Sequence, residues 1–291
     1  MRLAVLVIAL VAAMTAYSDS EPATSGAQKA KTDIQVNLFY EAVEKGNLKM
    51  VGHYLLVGIP VEAKNSALGL ASLYDFPKVV RALLAVGANP RIDIDGEKPI
   101  LEAGHCGPEV LRLLIDAGAN IEERSKYGET PLFISAANGK VGNVRFLLSM
   151  KANTNVIDKD GRAPLQCAAG GAGTEIVKLL IRSGANVNSV DYEGMTAFLW
   201  AASSCDCSSA RALLAAGADS TVKEQYGKSA LDIVQNRLND AESMVRSLIK
   251  EPTGKGFDGQ LHDSNLKSFR NDIPKLTRMK EFLLRVKIWA R

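Results

Sequence analysis

The stretch SKYGETPLFISAANG, residues 125–139, decides the fold of this chain, because its pattern returns at a fixed interval. Subtraction of residue numbers gives an interval of 33 between its opening glycines, which are Gly128, Gly161, Gly194 and Gly227. A second pattern, Leu-Leu-x-x-Gly-Ala-Asx, recurs together with the first. Its glycine is Gly87, Gly118, Gly184 or Gly217, and in one unit Lys151 takes the place of this glycine. This period predicts a stacked array of tandem units rather than a globular domain.

The two patterns resemble those of the ankyrin repeat family. SKYGETPLFISAANG, DKDGRAPLQCAAGG from Asp158 and DYEGMTAFLWAASS from Asp191 are similar to the opening Asp-x-x-Gly-x-Thr-Pro-Leu-His-x-Ala-Ala of that repeat. LRLLIDAGANIEE from Leu111 and VKLLIRSGANVNS from Val177 resemble its second helix and turn. The resemblance covers about Asn37 to Lys250. Three residues replace the family's His, and they are Phe133, Gln166 and Leu199.

The local chemistry agrees with this resemblance. Asp or Ser before each glycine suits a turn, and proline at Pro131 or Pro164 suits the first turn of a helix, where its missing N–H is harmless. Apolar residues form a stripe on the second helix, for example Val177, Leu179, Leu180 and Ile181. Neighbouring units stacked on this helix would bury the stripe. The expected fold class is an all-α repeat solenoid of about six to seven ankyrin units, each a helix-turn-helix with a β-hairpin loop, followed by a C-terminal helix.

The chain is expected to divide into five segments. Residues 1–18 read as a secretory signal peptide, because an apolar run from Leu3 to Ala13 follows Met1-Arg2 and small residues follow the run, and a retained membrane helix is the less favoured alternative. We expect a flexible linker over 19–34, repeats over 35–250, a Gly- and Pro-rich linker over 251–274 and a basic amphipathic helix over 275–291. Export to the periplasm follows, with a lipid anchor only if Tyr17 stands in place of a native Cys.

The segment from Lys275 to Arg291 has two readings. Its apolar residues recur at helical spacing while Arg and Lys lie largely on the opposite face. We favour a helix that caps the last repeat, since open arrays need caps. The alternative is a helix that contacts a membrane surface or a partner, because its Arg and Lys residues form a basic face that suits such a contact.

Composition argues against nucleic acid as a partner. The formal net charge is +3 for 291 residues, and no basic block interleaved with aromatic residues interrupts the repeats.

Cysteine and histidine positions predict no active site, no cofactor and no metal. Cys167 aligns with buried helix positions, while Cys106 lies three units from Cys205 and Cys207, more than about 20 Å away and therefore too far for a disulfide. Cys205 and Cys207 either form a local disulfide bridge or remain two thiols, and both alternatives are compatible with an oxidising compartment. The histidines are scattered among different units, at His53, His105 and His262.

Binding is therefore the expected function, and the resemblance places it on the concave face, at the hairpin tips and first helices. Tyr and Arg, which are enriched at the energetic centres of interfaces, are frequent at these tips. Tyr127, Tyr192 and Tyr226 are expected to form a ladder, although a tip tyrosine also suits a covering role over a neighbouring turn. The predicted contacts are Ile92, Ile94, Arg124, Lys126, Tyr127, Ile157, Lys159, Arg162, Tyr192, Glu193 and Tyr226. Phe133, Gln166 and Leu199 are second-rank candidates.

Two functions are compatible with this sequence. The first is a non-catalytic module, monomeric when free, that captures a protein partner in the periplasm, such as a secreted toxin or effector that an immunity protein or inhibitor neutralises. The second is an envelope scaffold or stress-protection factor that organises a membrane-associated or redox enzyme through the basic tail and the thiols.

Overall fold

The computed structural model describes residues 25–93, 98–250 and 257–289, which fall into two compact units, Met1–Asn89 and Pro90–Arg291. The predicted signal peptide, residues 1–18, lies outside the described residues. In the first unit, two helix pairs surround buried side chains that include Phe39, Leu68 and Leu83. Its helices are α1 (Ser25–Glu44), α2 (Leu48–Val57), α3 (Val61–Leu73) and α4 (Pro77–Ala85).

The second unit stacks four helix pairs and ends in two long helices. The pairs are α5 (Pro99–Glu102, continued as a 3-10 turn over Ala103–His105) with α6 (Pro108–Asp116), α7 (Pro131–Ala137) with α8 (Val141–Ser149), α9 (Pro164–Cys167, continued as a π-helix over Ala168–Ala172) with α10 (Thr174–Arg182), and α11 (Ala197–Ser203) with α12 (Cys207–Ala215). The long helices are α13 (Ala230–Lys250) and α14 (Phe257–Trp289). The predicted class, an all-α repeat solenoid, is confirmed.

The loops between pairs are tight turns with almost no strand character. Among residues 25–93, 98–250 and 257–289, the one β pairing is an isolated antiparallel bridge between Val190 and Thr196. The first helix of each pair starts directly after the turn. Thr130 and Thr196 cap α7 and α11 because their side-chain oxygens accept hydrogen bonds from Phe133 N and Leu199 N, at 3.3 and 3.2 Å.

Two asparagine side chains, Asn155 and Asn188, tie successive repeats together in the loops that follow α8 and α10. Asn155 Nδ2 donates to Gly184 O at 3.2 Å, and Asn155 Oδ1 accepts from Asn186 N at 2.8 Å. Asn188 repeats both bonds one unit further, to Gly217 O at 3.1 Å and from Asp219 N at 2.8 Å. These asparagines, which lie two residues after the Asx of one motif, therefore hold the backbone of the next Gly-Ala-Asx motif at a fixed distance.

Lys151 occupies a backbone conformation that its neighbours fill with glycine. Its φ is 65°, where the equivalent Gly184 and Gly217 both have 88°. We expect Lys151→Gly to raise the free energy of unfolding by roughly 0.5 to 1 kcal/mol, because relief of the left-handed strain exceeds the entropy cost of glycine. Lys178→Gly, in the middle of α10, is the matched control and should lower it by about 1 kcal/mol. Urea denaturation of both variants checks the prediction, and a loss of stability in Lys151→Gly would contradict it.

Two predicted linkers are partly wrong. Residues 19–34 were expected to be flexible, but α1 begins at Ser25, in a segment rich in Ala, Gln and Lys, which are good helix formers. Residues 251–274 were expected to be a linker, but α14 begins at Phe257 and includes Pro274. Helix α14 packs along α13, and this packing outweighs the helix-breaking tendency of the glycine and proline residues in the segment.

The C-terminal part of α14 packs on the last repeat. Leu276, Met279 and Leu283 recur at helical spacing and are buried. Arg211 of α12 lies over the ring of Phe282, 5.4 Å from its centroid. This arrangement is that of a capping helix, with the apolar side of the predicted amphipathic segment turned into the array.

Candidate functional site

Four turns of five residues, 125–129, 158–162, 191–195 and 224–228, share one hydrogen-bond design. In the second turn, Asp158 N donates to Arg162 O at 3.0 Å, and Asp158 Oδ1 accepts from Asp160 N and Arg162 N at 2.9 and 2.8 Å. The first side chains of the other turns, Ser125, Asp191 and Glu224, each accept two backbone N–H bonds in the same way. The side chains at the two following positions are not needed for the turn itself.

Backbone hydrogen bonds join these turns into one row. Lys159 N donates to Tyr127 O at 2.9 Å, Tyr192 N to Asp160 O at 3.0 Å, and Gln225 N to Glu193 O at 2.8 Å. We call residues 124–129, 157–162, 190–195 and 223–228 the turn surface. Because each turn is bonded to the next, the turn surface presents its side chains at fixed spacing.

Large apolar and aromatic side chains are exposed on this surface. The exposed fraction is 58% for Tyr127, 70% for Tyr192 and 78% for Tyr226, and Ile157 and Val190 are also exposed. Of the other predicted contacts, the exposed ones are Arg124, Lys126, Lys159 and Glu193. Ile92 is half-buried, and Ile94 lies outside the described residues.

The two predicted arginines are already engaged within the row. Arg124 Nη2 donates to Ile157 O of the next turn at 3.3 Å. Arg162 is half-buried and pairs with Asp158 Oδ2 at 2.8 Å and with Asp160 Oδ2 at 2.8 Å. Both arginines therefore stiffen the turn surface, whatever else they contact.

The tyrosines do not form the expected ladder. Tyr127 and Tyr226 are the third residues of their turns, whereas Tyr192 is the second residue of its turn and the turn at 158–162 carries none. A Cβ on Gly161 would lie 2.7 Å from the Tyr192 ring, so this ring lies against the preceding turn. Counting back from each glycine would have revealed this register in the sequence.

The second-rank candidates are buried and structural. Phe133, Gln166 and Leu199 are at most 2% exposed. Gln166 Oε1 accepts from Ala163 N at 2.7 Å, and its Nε2 donates to Met195 O of the next unit at 2.9 Å. These positions are removed from the set that could contact a partner directly.

The Trp200 side chain is hydrogen-bonded to the third turn. It is half-buried, and its Nε1 donates to Asp191 Oδ2 at 2.9 Å.

None of the four cysteines forms a disulfide bond in the structure, including Cys205 and Cys207, between which the sequence left a bridge open. Burial raises the pKa of Cys167 to about 12, and burial also raises the pKa values of Cys205 and Cys207. These thiols are protonated at neutral pH, which disfavours nucleophilic chemistry. No group of three or more His, Cys, Asp or Glu side chains in the described ranges is placed to hold a metal ion.

A shallow cleft of about 530 Å³ extends to Glu123, the residue that precedes the turn surface. Arg91, Ile115, Ile121 and Met150 are among the residues that line it. It is bordered by ends of second helices, and the predicted contact residues do not line it.

Comparison with known proteins identifies the repeats. A family model for ankyrin repeats matches residues 68–158, 100–191, 132–224 and 171–260. The crystal structure of the ankyrin repeat domain of Bcl-3, a unique member of the IkappaB protein family, is similar with a TM-score of 0.56 and 30% identity, over 67% of this chain and 92% of that one. A search of curated proteins gave no match. The chain belongs to the ankyrin repeat family.

Over the part of the chain that the structure describes, no helix is both long enough and apolar enough to cross a membrane.

Proposed function

We propose that this chain is a non-catalytic protein-binding module that holds its partner on the turn surface. The observation that supports this proposal is the exposure of Tyr127, Tyr192 and Tyr226 on a row of turns whose backbone groups are bonded to one another. Rigid turns lose little conformational entropy on binding, and tyrosine supplies a large contact area that is both apolar and polar.

A protein is the class of partner that this surface suits. The exposed side chains alternate apolar groups, such as Ile157 and Val190, with charges of both signs, such as Lys159 and Glu193. A mixed surface of this kind suits another protein surface better than a phosphate backbone, which calls for a uniformly basic face.

The compartment and the partner form the finer part of the proposal. We infer that the N-terminal segment directs export, so that the partner is a periplasmic protein such as a secreted toxin or effector and the chain acts as its immunity protein or inhibitor. Fractionation of the native cell tests export, and recovery of the chain in the cytoplasm alone would contradict it. Inhibition of the captured partner's enzymatic activity at one-to-one stoichiometry tests the inhibitor role.

The scaffold function is not favoured by the C-terminal helix. Leu276, Met279 and Leu283 are buried, so the apolar face of this segment is covered and only its basic face could contact a membrane or an enzyme. Deletion of Lys275 to Arg291 would remove a structural cap and is therefore unsuitable for separating a scaffold from an inhibitor.

Alanine variants of the turn tyrosines test the binding proposal. The partner is first captured from the native source and purified. We expect Tyr192→Ala and Tyr226→Ala each to raise the Kd for this partner at least about tenfold, since tyrosines that a partner buries often act as interface hot spots. Tyr74→Ala is the matched control, because Tyr74 is an exposed tyrosine outside the turn surface, and it should change the Kd less than about twofold. Equal affinity of all three variants by calorimetry would exclude the turn surface.

A further inference from the structure

The turn before α12 carries a cysteine in a left-handed conformation that two other repeats fill with glycine and a third with Asp75, at φ 58°. Cys205 has φ 61°, and the equivalent Gly46 and Gly139 have 60° and 70°. The backbone bonds match as well, since Gly139 N donates to Ala136 O and Cys205 N donates to Ala202 O, at 3.3 and 3.1 Å. A side chain retained at a strained position directs attention to what that side chain does.

A second and a third sulfur atom lie near this turn. Cys207 begins α12, and its Sγ is 3.9 Å from Sδ of Met279, which is fully buried on α14. Cys205 precedes Cys207 by two residues in the same turn, and its Sγ lies 3.9 Å from Ser203 O. Asp272 and Lys275 of α14 affect the pKa of this thiol through their charges. The two thiols and the thioether therefore gather where the last repeat meets the C-terminal helix.

We propose that Cys205, Cys207 and Met279 bind a soft monovalent metal ion, Cu(I). Thiolate and thioether sulfurs are the ligands that select Cu(I) among biological metals. With metal–sulfur bonds of about 2.3 Å, two sulfurs that share one ion lie about 4 Å apart, close to the separation of Cys207 and Met279. Two thiol protons leave as the ion binds.

The charges around the sulfurs suit such a complex. Two thiolates and one Cu(I) carry a net charge of −1. Arg237 and Lys275 lie near Cys205, and Arg211 and Arg278 lie near Cys207, so four cations are available against the carboxylates of Asp206 and Asp272. The complex would therefore be stabilised by its surroundings.

The segment between the two cysteines is held in place by its own hydrogen bonds. Asp206 Oδ1 caps α12 by accepting from Ser208 N and Ser209 N, both at 3.0 Å. Asp206 Oδ2 accepts from Thr174 Oγ1 of the preceding repeat at 3.3 Å. The Asp206 carboxylate therefore positions the loop and is not available as a ligand. Zn(II) would require a fourth N, O or S ligand, and the His, Cys, Asp and Glu side chains of the described residues do not form such a set here.

Competitive titration tests this site. The full chain, reduced and kept anaerobic, is titrated with Cu(I) in the presence of bathocuproine disulfonate, and one tightly bound ion per chain is expected. Cys205→Ser and Cys207→Ser should weaken Cu(I) binding by at least about 100-fold, and Met279→Leu, which keeps the packing, by about tenfold. Cys106→Ser and Cys167→Ala, which retain all three ligands, should bind within about twofold of the unchanged chain. Wild-type affinity in Cys205→Ser and Cys207→Ser, or failure of the unchanged chain to compete with the chelator, would overturn the proposal.

Cys205→Gly separates the metal site from a purely structural role. Glycine suits this φ, so the variant should unfold at a higher temperature than the unchanged chain without metal and should show no rise in melting temperature on addition of Cu(I). The unchanged chain should show that rise. An equal rise in both proteins would place the ion elsewhere and overturn the assignment.

Discussion

Replacing Leu276 by alanine is expected to lower the free energy of unfolding by about 2 to 5 kcal/mol. Leu276 is 2% exposed and lies one helical turn before Met279, which contacts Cys207 of the last repeat, so the change leaves a cavity beside the capping helix. Guanidinium denaturation followed by circular dichroism measures the effect. The loss should be accompanied by faster amide exchange in α13 and α14, because the last elements of an array depend on their neighbours.

The matched control is Leu284→Ala on the same helix. Leu284 is 40% exposed, and its replacement should change the free energy of unfolding by less than about 0.5 kcal/mol. If both variants were equally stable, the C-terminal helix would not cap the array, and its basic face would return as a binding surface.

Replacing Gln166 by alanine is expected to lower the free energy of unfolding by about 2 to 4 kcal/mol. The change removes the acceptor of Ala163 N and the donor to Met195 O, and both of these residues are buried. Gln166→Leu, which restores the volume but not the bonds, should lose nearly as much. Chemical denaturation measures both variants.

Gln225→Ala serves as the control for this pair. The Gln225 side chain is exposed, and its bond to Glu193 O comes from the backbone, which alanine retains. A change below about 0.5 kcal/mol is expected. If Gln166→Leu were as stable as the unchanged chain, packing rather than hydrogen bonding would explain why this residue is buried.

The period of the sequence was sufficient to predict the fold, because it reports requirements that each repeat meets locally. Gly128 and Gly161 both adopt positive φ in their turns, and Pro131 and Pro164 both begin helices, as predicted. Local rules failed where packing decides the outcome. Pro274 reads as a break, but the length of α14 is set by its contact with α13.

The candidate site was predicted in outline only. Exposure of the turn residues follows from their place in the repeat, and Tyr127, Tyr192 and Tyr226 are indeed exposed. Partners of charged side chains depend on geometry between units, which sequence spacing does not report, so the bond from Arg124 to Ile157 O was missed. The meeting of Cys207 with Met279 joins residues 72 positions apart and could not be read from either motif.

Photocrosslinking shows whether a protein partner binds on the turn surface. p-Benzoyl-L-phenylalanine is placed at Tyr192, at Tyr226 or at Arg145, which is exposed on a second helix, and each chain is irradiated with its captured partner. Crosslinks to the partner are expected from positions 192 and 226, and none from position 145. Crosslinks from position 145 alone would contradict binding on the turn surface and move the binding site to the second helices.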